Sequence, residues 1–126
     1  MQDRLVAAYI LSSSLLICHE VDAAVWAEWE MFALPGGAPT FVALHLPIAA
    51  LALYGLVRLA RQHPSARWYG RVVASVNIGA AALHAAFLVA GDSRFRHPLS
   101  LTLLGFMMVV GIWHLRLDLR CHSASA

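Results

Sequence analysis

Three histidines and several carboxylates are the residues here whose types and spacing could do chemistry. His19 is followed at once by Glu20, and Asp22 stands three residues on, in the run His19-Glu-Val-Asp-Ala-Ala-Val-Trp-Ala-Glu-Trp-Glu. His45 follows a Pro35-Gly36-Gly37 break, and His84 closes a stretch of small residues, Gly79-Ala-Ala-Ala-Leu-His. Neutral imidazole is a good donor to zinc, iron and similar divalent ions, and a carboxylate offsets the cation's charge where the dielectric is low. His19 and Asp22, three apart on a helix, can reach the same ion. His19, Asp22, His45 and His84 are therefore the expected metal ligands. Glu20 is the expected proton acceptor if the metal activates water or dioxygen toward a lipophilic substrate. Glu28 and Glu30 would form a mouth above the site.

Two other readings use the same residues. A b-type haem could take two of His19, His45 and His84 as axial ligands, with Gly79 to Ala82 making room for the macrocycle. Alternatively the chain is a non-catalytic small subunit of a larger membrane complex, or a homo-oligomer, with its polar groups buried against partners. Covalent c-type haem is excluded because no C-x-x-C-H occurs. H-E-x-x-H fails because Ala23 stands where the second histidine would be. Walker, G-x-S-x-G and G-x-G-x-x-G motifs are missing as well.

The elements that hold these residues follow from composition. The chain has 126 residues, 60% hydrophobic and 13% charged, with mean hydropathy +0.68. A soluble domain is roughly 25% charged. The balance points to the lipid bilayer and excludes a disordered chain or a disulfide scaffold. Net charge is only +2, so no nucleic acid partner is expected. The two cysteines, Cys18 and Cys121, fall at different depths and cannot pair.

Four apolar segments are evident, at about 5–34, 40–59, 68–90 and 98–119. Asp3 before Arg4 makes a poor signal-peptide start, so the first segment reads as a retained helix. If helical throughout, it would be about 45 Å long, more than a hydrocarbon core of roughly 30 Å needs. Short connections make consecutive helices antiparallel neighbours, as in an all-α four-helix bundle. Arginine placement orients it. Arg4, Arg58, Arg61, Arg67, Arg71, Arg116 and Arg120 fall on one side, and only Arg94 and Arg96 on the other. Both termini are thus expected in the cytoplasm, of a bacterial inner membrane.

On this topology His19, His45 and His84 lie roughly 6–10 Å below the outer boundary, on three helices. Helical phase puts Ser12, His19, Asp22, Trp26 and Glu30 on one face of the first segment, with Glu28 opposite and Glu20 to the side. In the third segment Gly70, Ala74, Asn77, Ala81 and His84 share a face, the small-residue stripe along which membrane helices pack closely. His114 and Asp118, an i,i+4 pair near the inner end of the fourth segment, read as an interfacial helix end. His63 and His122 fall at the inner surface.

The stretch from His19 to Phe32, followed by Leu34-Pro-Gly-Gly and His45, resembles an uncharacterised family of short bacterial multi-helix membrane proteins with a His-Glu-x-Asp-Ala…Glu-Trp signature. It is more loosely similar to membrane proteins named for a His-x-x-Glu-Glu motif, departing from that pattern at Asp22 and Ala23. The resemblance implies a helical membrane protein and carries no activity with it.

Overall fold

The computed structural model describes residues 2–123, with side chains placed from Asp3 to Arg120; Cys121 and His122 lie outside those described side chains. Among the described residues five helices follow one another: α1 (Gln2–Val25), α2 (Glu28–Met31), α3 (Gly37–Ala60), α4 (Ala66–Val89) and α5 (Pro98–Ser123). All but α2 are long and apolar enough to cross a membrane. A run of such length rises about 35 Å, enough for a hydrocarbon core of roughly 30 Å with a margin for tilt. The chain is thus an all-helical bundle with four spanning segments, as its composition predicts.

The first segment departs from the continuous helix expected over 5–34. α1 stops at Val25, and Ala27 adopts a left-handed backbone (φ 52°). A new single turn, α2, starts at Glu28 and ends in a second left-handed residue, Ala33 (φ 48°), where the Leu34 N–H reaches back to the Trp29 carbonyl at 2.7 Å. One left-handed residue redirects a helix axis and resets its phase. Side-chain directions extrapolated from α1 therefore do not hold beyond Val25, and the placement of Glu28 opposite His19 is corrected below.

α1, α4 and α5 pack against one another. α3 lies along α1 and α4 and does not meet α5. The α4–α5 seam is tight enough to need Gly111, where an added Cβ would lie 3.0 Å from the Ala74 carbonyl oxygen and 2.9 Å from Ile78 Cγ1. α3 also carries Pro47, whose ring nitrogen cannot donate to the Ala43 carbonyl one turn back. Aliphatic side chains such as Val42, Leu46 and Val109 point outward, the arrangement a bilayer stabilises and water does not.

The interior is not uniformly apolar. One polar group, centred on His19 and His84, sits at the end of the bundle that carries α2. A second, near the termini, holds Tyr9, Ser12, Asn77, His114 and Asp118, all buried. Between them lies an apolar layer of Leu16, Ala81 and Met107, each buried and each placed between the polar residues of its own helix.

Candidate metal centre

α1 brings His19 into the interior, and the small-residue face of α4 brings His84 beside it. The two rings meet edge to face, centroids 4.7 Å apart. Phe95, from the α4–α5 connection, closes over both, at 4.3 Å from His84 and 6.2 Å from His19. The turn at Ala27 swings Glu28 back over this pair. Glu28 is buried, and its Oε1 stands 3.4 Å from His84 Nε2. His19, Glu28 and His84 each offer one ligand atom, and the three atoms lie within 4.8 Å of one another. A metal with ligand bonds of about 2.0–2.2 Å spaces its ligands roughly 3–4 Å apart, so the widest pair need close by only about 1–2 Å, shared between two side chains.

Hydrogen bonding fixes the chemistry of His84. Its Nδ1–H donates to the Ala80 carbonyl at 2.8 Å. In the neutral ring the lone pair is then on Nε2, which is buried, makes no hydrogen bond, and faces a carboxylate. A lone pair against a carboxylate oxygen is repulsive unless a cation or a proton lies between them. Metal-binding histidines commonly anchor the other ring nitrogen on a carbonyl in this way. His19 adds a second bare donor, since its Nδ1 is buried without a partner.

The other expected ligands lie beside this group of three. Asp22 Oδ1 accepts from Trp26 Nε1 and from Ser100 Oγ, both at 3.0 Å, which ties α1 to the start of α5. His45 donates Nδ1–H to the Phe41 carbonyl at 2.7 Å, and its Nε2 lies 3.2 Å from Glu20 Oε2. Glu20 and His45 thus form a pair of their own. Glu30 is exposed and faces Arg94 at 3.9 Å.

Sequence pattern alone places Glu28 at a mouth above the site rather than among the ligands, and does not point to Phe95 or Ser100. An unbroken helical phase puts Glu28 on the far face, and the left-handed Ala27 breaks that phase. Phe95 and Ser100 sit at or just before the start of α5, where no periodicity reaches.

The second polar group is enclosed within the bundle. His114 and Asp118 are both fully buried. His114 Nδ1 and Ser12 Oγ are 3.0 Å apart. Asn77 Nδ2 donates to the Ser12 carbonyl at 3.1 Å. Asp118 is held in an ion pair by Arg71, which reaches in from α4. These contacts join α1, α4 and α5, and Asp118 is paired with arginine rather than with His114.

No curated protein and no solved structure matches the chain. The sequence profile of the family of unknown function DUF6713 matches residues 5–120, from the first turn of α1 to the last charged residue of α5. That span takes in both polar groups and all four spanning helices, and the chain belongs to this family.

Proposed function

We propose that this is a metal-binding integral membrane protein, holding zinc or ferrous iron between α1, α2 and α4 through His19, Glu28 and His84. The observation that carries the reading is His84: its Nδ1–H is fixed on a backbone carbonyl, and its buried Nε2 faces Glu28 without a hydrogen bond. Two histidines and one carboxylate leave coordination positions open, the pattern of catalytic zinc sites and of non-haem iron oxygenases. Asp22 and His45 would then act from just outside, Asp22 by fixing α1 against α5 and His45 by holding Glu20. Glu20 would serve as proton acceptor in a reaction at the metal. The arginine asymmetry favours cytoplasmic termini, with the metal in the outer half of a bacterial inner membrane.

A b-type haem fits less well. Axial imidazoles stand on opposite faces of a macrocycle, and the rings of His19 and His84 touch edge to face with Phe95 against both. Elemental analysis and a visible spectrum of the purified protein test the proposal. Near-stoichiometric zinc or iron, lost in the His84→Ala variant, supports it. A Soret band would replace it with haem, and failure to take up either ion on titration would refute it.

A further inference from the structure

A groove of about 540 Å³ lies between α1 and α3. Its walls include Val21, Val25, Val42 and Leu46, each between 62% and 69% exposed. Side chains so exposed pack against nothing in the bundle, and in a membrane they meet lipid. Two lining residues are unlike the rest. Glu20 and His45 open onto the same groove, with side chains 22% and 26% exposed. An ionisable pair facing acyl chains is costly, and such groups inside membranes mark functional sites. A concave apolar site with a few convergent polar groups is also the common form of a small-molecule pocket, and this volume falls in the usual range.

The hydrogen bonding of the pair selects the occupant. His45 Nδ1–H is committed to the Phe41 carbonyl. Glu20 Oε2 lies 3.2 Å from His45 Nε2 and makes no hydrogen bond. The Glu20 carboxylate on the groove wall therefore has acceptor capacity that no group of the bundle uses. A head group that only accepts finds no donor there. A carboxylate or ammonium head would carry a full charge into the acyl-chain region, which is costly.

We infer that this groove binds an uncharged lipid-soluble molecule through a hydroxyl head, an alcohol or phenol that donates to Glu20 while its apolar body lies along Val21, Val25, Val42 and Leu46. The site shares Glu20 and His45 with the metal proposal but needs no bound metal. It uses neither His19 nor His84, and it opens to the bilayer rather than to the bundle interior.

The test uses the full chain in lipid nanodiscs after treatment with a chelator, so the outcome does not depend on metal. Two probes are compared, a long-chain alcohol carrying a photoreactive diazirine and its methyl ether, which lacks only the donor. Peptide mapping after irradiation is expected to place the alcohol's label on the groove walls, at about fivefold the yield of the ether. Glu20→Leu should bring the two probes to equal yield. Glu20→Gln, which keeps an acceptor, should preserve the preference. Ala49→Phe, which fills the groove, should remove labelling by both. Equal labelling of the unaltered protein by alcohol and ether would overturn the inference. So would unchanged labelling of Ala49→Phe, or cross-links showing a second copy of the chain seated in the groove.

Discussion

Glu28 Oε1 lies 3.4 Å from His84 Nε2, although Glu28 belongs to a single helical turn and His84 to the far end of α4. The contact exists because Ala27 turns the chain back over the bundle. It makes Glu28 the carboxylate that distinguishes the metal reading from a set of separately satisfied polar groups. Glu28→Gln should lower bound zinc or iron at least tenfold, measured by elemental analysis after gel filtration. Glu30→Gln, an exposed neighbour two residues on, should leave it unchanged. Equal losses in both variants would argue against Glu28 as a ligand.

His19→Ala and His84→Ala should each remove most of the metal, and the double variant should look little worse than either single one. Ligands of one ion act as a unit, so their losses do not add. His63→Ala, at the other end of the bundle, is the control. Two independent half-losses that summed in the double variant would count against a shared ion.

Asp22→Asn should have a smaller effect on metal retention than Glu28→Gln. An asparagine Oδ1 can still accept from Trp26 and Ser100, so the tie between α1 and α5 survives. Ser100→Ala should cost about 1 kcal/mol in a reversible unfolding measurement, the usual worth of one such bond. If Asp22→Asn empties the site as fully as Glu28→Gln does, Asp22 is itself a ligand.

Arg71→Ala should destabilise the protein by roughly 3 kcal/mol, because it leaves Asp118 buried without its partner. The double variant Arg71→Ala/Asp118→Asn should recover part of that loss, since the unpaired charge is gone. Denaturant titration followed by circular dichroism reads both. Metal content should not change in either, because the pair lies beyond the apolar layer.

Gly111→Ala should cost on the order of 1–3 kcal/mol, as α4 and α5 are pushed apart at Ala74 and Ile78. Gly105→Ala, where an added Cβ meets nothing within 4 Å, should be tolerated. A reversal of that order in thermal unfolding would show that the helices do not meet at Gly111.

The bundle was legible in the sequence to a large extent, and the centre only in part. Hydropathy marks four spans because a bilayer demands long unbroken apolar runs, and that demand is written residue by residue. His19 and His84 were legible as partners because each lies on a polar or small face of a regular helix, where phase and depth can be counted. Glu28 was not, because phase counting assumes an unbroken helix. Alanine is an unusual residue for a left-handed turn, where glycine or asparagine is the ordinary signal. The visible stop at Pro35-Gly36-Gly37 comes eight residues after the real break at Ala27. The pairing of His45 with Glu20 depends on how α3 is rotated against α1, which periodicity within either helix does not encode.

The layer of Leu16, Ala81 and Met107 has a consequence for the membrane itself. Polar residues stacked without interruption through a bundle would gather water into a file, and a file of water conducts protons. Here the two polar groups are kept roughly 10 Å apart along α1, from Ser12 to His19, and along α4, from Asn77 to His84, with the Leu16, Ala81 and Met107 layer between them. A bundle built this way carries titratable groups toward both its ends without a continuous polar file joining them.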